Sequence, residues 1–210
     1  MDIIWAVREL CRGEYGFKNM FDKTKSSGKL ASLTGGCRDA GLFEALLYGK
    51  ARSALGEMIN DAYRYKEYTA KIYGLLIQDG LSDADAEKAL TIFFRSFGFP
   101  GYRDMDPSKV STVSDTVGSD FKVEYEGEVR DGKEHGVGVR ICYSHGKWCN
   151  YDECVWIDGV MTGYDFAKEI EFGAFETQKI GFVVEDNFVG NIQCIYGEDE
   201  EIDSVSKFAL

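Results

Sequence analysis

The 210-residue sequence predicts an α+β fold: an N-terminal helical bundle followed by a small antiparallel β-meander of hairpins. Three observations predict it. Apolar residues recur at helical spacing up to about residue 99. Beyond about residue 120 the alternation becomes that of half-buried strands. The second half also matches itself when shifted by 27 residues, so its turns recur at a fixed interval.

The helices follow in order. In "DIIWAVRELCRG", Ile3, Ile4, Val7, Leu10 and Cys11 share a face, with Asp2 as N-cap and Gly13 as stop. "KNMFDKTKSSGKLASLTGGCRDAG" is rich in turn residues and predicts short helices and loops. Leu42 and Leu46, a break at Gly49, then Leu55, Met58, Ile59 and Ala62 restore the helical period. Tyr65, Tyr68, Ile72, Leu75 and Leu76 form another stripe, closed by Gly80. The clearest helix is "LSDADAEKALTIFFRSFGFP", opened by Ser82 and Asp85 in a capping-box-like start. Its Ala86, Leu90, Phe93, Phe94 and Phe97 share a face, and an aromatic stripe at that spacing reads as core. Residues 1–100 are thus expected to be a helical module and 101–120, "GYRDMDPSKVSTVSDTVGSD", a joint.

Residues 121–197 predict hairpins. The 27-residue shift aligns Phe121, Trp148 and Phe175, then Val129, Trp156 and Val183. The turn positions Gly132, Gly159 and Asp186 align, as do Gly136, Gly163 and Gly190, and Gly146 falls on Gly173. Glycine supplies the positive φ that tight turns need, and stacked hairpins complete a core that none has alone. Gly136 and Gly163 are therefore expected to share one backbone geometry. Residues 198–210 are expected to be a solvated acidic tail.

These residues resemble MORN repeats. "YEGEVRDGKEHGVGV" matches through Tyr125, Gly127, Asp131, Gly132, Gly136 and Gly138; a second copy keeps Tyr151, Trp156, Asp158, Gly159 and Gly163. A third keeps Gly181, Asp186, Asn187 and Gly190. The resemblance implies a meandering antiparallel sheet used for interaction or scaffolding, with no chemistry of its own. Residues 3–99 loosely resemble an uncharacterised helical module of bacterial multidomain proteins, whose setting implies an adaptor.

Composition narrows the function classes. Residues 107–210 hold nine Lys and Arg against twenty-one Asp and Glu, which accounts for the whole net charge of −12. Such a surface repels nucleic-acid backbones and anionic lipid, and suits a protein partner with a basic surface. No apolar run is long enough to span a membrane, and Asp2 stands where a signal peptide carries basic residues, so a cytoplasmic protein is expected. Six cysteines in such a chain read as reduced thiols.

Chemistry has one foothold. His135 and His145 lie near Cys142, Cys149 and Cys154 in sequence, which raises a cysteine–histidine enzyme or a zinc switch as the alternative function. The metal set would be Cys142, His145, Cys149 and Cys154. Against it, the gaps lack the usual close cysteine knuckle, and alternating strand positions send neighbours to opposite faces. "GEDEEID" lacks the spacing of a calcium loop, and Asp83 and Asp85 are explained by helix capping. No phosphate-binding or dinucleotide fingerprint appears, so no cofactor is expected. The expected function is non-catalytic protein binding, with Tyr125, Trp148, Tyr151, Trp156 and Tyr164 as the contact set. His135 is expected to be a largely exposed turn residue without a nucleophile partner.

Overall fold

The computed structural model describes residues 1–12, 16–171, 175–196, 199–205 and 207–208. Gly13, Gly173 and Gly197, named above, lie outside them. The described chain forms α1 (Ile3–Leu10), α2 (Lys23–Thr34), α3 (Arg38–Tyr48), α4 (Arg52–Asn60), α5 (Tyr65–Gln78) and α6 (Asp83–Ser96). Short 3-10 turns occupy Gly16–Phe21 and Ala62–Arg64. Nine strands follow: β1 (Val110–Val117), β2 (Phe121–Arg130), β3 (Lys133–Ser144), β4 (Lys147–Ile157), β5 (Val160–Met161), β6 (Gly163–Glu171), β7 (Phe175–Val184), β8 (Asn187–Tyr196) and β9 (Asp199–Ser204). They make one antiparallel meander in sequence order, with the two-residue β5 pairing only β4.

The helix ends follow local chemistry. Asp2 Oδ1 accepts from the Ile4 amide at 3.0 Å, and Ser82 Oγ accepts from the Asp85 amide at 3.3 Å. The stretch expected to hold short helices carries the twelve-residue α2, because Asp22 caps its start and Gly35 closes it in the left-handed region. Phe93, Phe94 and Phe97 are buried, as their spacing required.

Two boundaries move. The presumed joint contains β1, which pairs with β2 over its whole length from Val110↔Glu128 to Val117↔Phe121. Its Ser, Thr and Val residues suit an exposed edge strand, whose weak apolar period hid it. The presumed acidic tail contains β9, an exposed strand paired to β8, and beyond it the buried Phe208. The helical and strand halves also share a core. Val137, Val155, Ile157, Tyr164, Phe182 and Val184 from the sheet pack with the helical residues in one cluster.

The repeat is visible in the backbone. Asp131 and Gly132, Asp158 and Gly159, and Glu185 and Asp186 each form a two-residue turn with both φ positive. That is the type I′ signature, whose twist matches the flanking strands. Successive turns bond to one another: the Gly159 amide donates to the Glu134 carbonyl at 2.8 Å and the Asp186 amide to the Met161 carbonyl at 3.1 Å.

Four residues past each turn stands a glycine of positive φ: Gly136 (117°), Gly163 (152°) and Gly190 (74°). Each marks a place where no Cβ fits. Glu128 fills the space at Gly136, the Phe97 carbonyl stands 2.6 Å from a Cβ at Gly163, and Asn60 backbone covers Gly190. The helical layer therefore seats on the stripe these glycines make. Phe97 follows α6, Asn60 ends α4, and Glu128 receives Arg8 of α1.

The Arg8–Glu128 pair is the buried polar node of this contact. Arg8 Nη1 donates to Glu128 Oε2 at 2.7 Å, while Nε and Nη2 donate to the carbonyls of Ser96 and Arg95 at the end of α6. Glu128 also accepts from the amides of Val137 and Asp106. Both charges are fully used, so α1, α6, β2 and β3 are locked together.

Two stability measurements check this account by urea unfolding. Gly159→Ala, whose Cβ would meet Glu134 Oε2 at an ordinary contact distance of 3.9 Å, should cost about 1 kcal/mol, from φ. Gly163→Ala should cost about 2 kcal/mol or more, because backbone must move. Equal costs would refute the docking role of the second glycine. Arg8→Met strands a buried carboxylate and should cost about 3 kcal/mol or more.

Candidate interaction surface

The helices cover only part of the sheet face they pack on. Residues at alternate positions of a strand share a face, and paired residues on neighbouring strands share it too. Val155 and Tyr164 belong to the helix-packed core, so Tyr151 and Phe166 lie on the same face further along β4 and β6. The pairs Ile141↔Tyr151, Tyr143↔Trp148 and Tyr151↔Lys168 extend that face across β3, β4 and β6. A shift of register between Cys142 and Tyr143 is what brings Trp148 onto it.

These six residues line an open cleft of about 540 Å³. All are half-buried, with Lys168 over the Phe166 ring at 5.8 Å. Two of the contact residues expected from sequence, Trp148 and Tyr151, are here. Ile141, Tyr143, Phe166 and Lys168 were missed, because only the strand register shows that they adjoin those two. A neighbouring cleft, lined by Thr116, Phe121, Lys122, Glu124 and Tyr143 among others, continues the surface towards β1. In it Lys122 pairs with Glu124.

The other three expected contacts are not available to a partner. Tyr125 and Trp156 are buried on the opposite face, where their rings meet edge to face at 5.2 Å beside Cys154. The Tyr125 hydroxyl donates to the Glu128 carbonyl at 2.9 Å, and its ring lies over Gly138, where a Cβ would strike it. Tyr164 is buried against Tyr65 and Phe99 in the helix-packed core. Large aromatics with so many neighbours fill the cores on the two faces of the sheet, one of them shared with the helices.

The same opposite face holds buried acids. Asp165 is 1% exposed, with Oδ1 free of any hydrogen-bond partner among the described residues. Burial pushes its carboxyl well above the usual range, and the nearby Asp152 charge adds to this. Asp152 is raised by burial as well, while Arg140 Nε, 3.6 Å away, and Asn150 oppose the shift. Both acids are buried rather than open to a substrate, and Arg140 lies over the Trp156 ring at 5.7 Å.

The cysteine–histidine set does not assemble. Only Cys142 and Cys149 adjoin. His145 occupies an exposed turn with φ 50° and its Nδ1 is 3.8 Å from Asp120. Cys142 and Cys149 are neighbours across β3 and β4, where the Cys149 thiol donates to the Cys142 carbonyl at 3.4 Å. Cys154 lies further along β4, fully buried, with its thiol pushed well above the usual range by burial. Among the described residues no group of three or more His, Cys, Asp or Glu side chains is placed to hold a metal.

His135 departs most from expectation. Its ring is wholly buried, stacked on Trp5 of α1 at 4.8 Å between centroids. Nδ1 accepts from the Asp158 amide at 3.4 Å and faces the Asp158 carboxylate, which Arg12, just past α1, also binds. One repeat later Thr162 Oγ1 accepts from the Glu185 amide at 3.5 Å. The position therefore has a job: its side chain caps the next turn. Sequence missed this because histidine and threonine look unlike, and because α1 approaches from over a hundred residues away.

No protein-family model, no curated protein and no solved structure matches this chain.

Burial lowers the His135 pKa from 6.5 to about 4, with the Arg8 charge acting in the same direction. The unfolded chain takes up a proton at this residue between pH 6.5 and 4, while the folded chain does not. Stability must therefore fall as pH drops through that window, by roughly 3 kcal/mol in full. His135→Phe keeps the ring and removes the titration. The raised Asp165 acts with opposite sign, but equally in both proteins. Urea unfolding between pH 7 and pH 4.5 should show wild type losing more stability than His135→Phe. Parallel losses would refute the buried neutral imidazole.

Proposed function

We propose that this chain is a non-catalytic protein-interaction module that docks a basic partner segment in the aromatic cleft of its sheet. The supporting observation is the cleft itself: Ile141, Tyr143, Trp148, Tyr151 and Phe166 together on a sheet face beyond the reach of the helices. A contiguous half-exposed aromatic surface is favourable to bury, and aromatic anchors dominate interface energies. The charge of the strand half, nine cationic against twenty-one acidic residues, selects a partner carrying Lys or Arg around its apolar anchor. The meander is proposed to be a degenerate MORN-like stack, a reading supported by the turns at residues 131–132, 158–159 and 185–186. Among the described residues no helix is long and apolar enough to cross a membrane.

Selection of random peptides displayed on phage against the full chain tests the assignment. Selected sequences should combine an aromatic or aliphatic anchor with Lys or Arg. Their affinity should fall at least tenfold for Trp148→Ala/Tyr151→Ala, about 1.4 kcal/mol or more, while the melting temperature stays near wild type. Selected peptides that are acidic, or that bind the double variant unchanged, would overturn the cleft as the docking site.

A further inference from the structure

The stretch "DSVSKFAL" at 203–210 carries one aromatic residue, Phe208. That residue leaves the sheet and enters the helical layer. Its ring is 8% exposed and lies 5.2 Å from Phe17 and 5.6 Å from Phe21, between centroids. Its backbone is held by one side chain. Asn60 Oδ1 accepts from the Phe208 amide at 2.7 Å, and Asn60 Nδ2 donates to the Phe208 carbonyl at 2.9 Å.

This is the pairing a neighbouring strand would offer, supplied instead by a carboxamide at the end of α4. Asn60 is itself fixed in orientation. Its Nδ2 also donates to the Gly56 carbonyl at 2.8 Å, and its backbone packs on Gly190 of the sheet. Recognition thus has two independent parts: a backbone clamp that reads no sequence, and an aromatic recess that reads phenylalanine. A cleft of about 320 Å³, lined by Arg52, Ser53, Gly56 and Phe208, continues the recess along α4. The site is larger than the ring that fills it.

Past β9 the occupying segment is held at few points among the described residues. Val205 and Lys207 are exposed, and the Val205 amide donates to the Gly190 carbonyl at 2.8 Å. Burial of a single ring is comparable to the entropy lost in ordering the residues around it.

We propose that the Asn60–Phe17–Phe21 recess is a binding site for an extended peptide segment carrying phenylalanine. Residues around Phe208 fill it in cis, and a segment of the same chemistry from another protein replaces them. The site lies in the helical layer and is independent of the aromatic cleft.

The test uses full-length Phe208→Ala, which vacates the recess, and a fluorescein-labelled peptide of sequence DSVSKFAL followed by anisotropy. Saturable binding is expected, at least tenfold tighter than to wild type, where the cis segment competes. Replacing the peptide's phenylalanine by alanine should weaken it at least tenfold, as should adding Asn60→Ala to the protein. Absence of saturable binding, or binding indifferent to both changes, overturns the site. Should Phe208→Ala fail to fold, wild type serves. Excess peptide should accelerate tryptic cleavage after Lys207, the alanine peptide should not, and equal rates would overturn the exchange.

Discussion

The packing of helix ends onto glycines that lack room for a Cβ is the constraint on which this structure depends. Gly136, Gly163 and Gly190 recur every 27 residues because the hairpins do; Gly163 and Gly190 receive the ends of α6 and α4, and Gly136 the Glu128 carboxylate that Arg8 holds. A periodic sheet thereby acquires an aperiodic cover. The turn chemistry sets the twist, the twist sets where each strand's fourth residue comes to the surface, and only glycine there lets backbone or a buried carboxylate approach. One short motif thus serves the sheet internally and the junction externally.

Polar groups then make that junction specific. Apolar burial holds α1, α4 and α6 against the sheet without fixing their angle. Arg8 fixes it, because its donors reach two carbonyls of α6 and the carboxylate of Glu128 at once. Around it lie Arg12 with Asp158 and Arg130 with Glu9, both half-buried pairs between α1 and the strands. His135 sits among these charges as a neutral ring stacked on Trp5. Breaking the Arg8–Glu128 pair leaves a buried charge uncompensated, so the network resists loosening at its centre.

Much of the fold was legible from the sequence, and much of the candidate surface was not. Caps and periodicity located α1, α3, α4, α5 and α6, since these signals are local and Asp2, Gly49 and Ser82 act within a turn of themselves. The repeat located the turns, since positive φ narrows the residue choice. What failed were the properties set by pairing. β1 was hidden because an exposed edge strand needs no apolar alternation, and β9 because acidic residues can pair backbones while their side chains stay in water. Tyr125, Trp156 and Tyr164 were grouped with Trp148 and Tyr151 because residue type does not reveal which face a strand presents. A single shift of register near Cys142 decides that for Trp148. The Arg8–Glu128 pair spans 120 residues of sequence, and nothing near either residue announces it.

The division of the sheet faces connects architecture to the proposed role. On one face, side chains of the strands bury one another around Tyr125 and Trp156 and need no further cover. On the other, the strands are longer than the helical layer is wide. The part under α4 and α6 becomes core, while the part beyond Tyr164 keeps its aromatic residues without receiving helices. Were those positions polar, the sheet would lose little stability, since they are only half-buried as they stand. Their apolar character therefore has no full account in folding alone. The proposed partner would complete the burial of a surface that the fold leaves aromatic at the margin of a strongly acidic half.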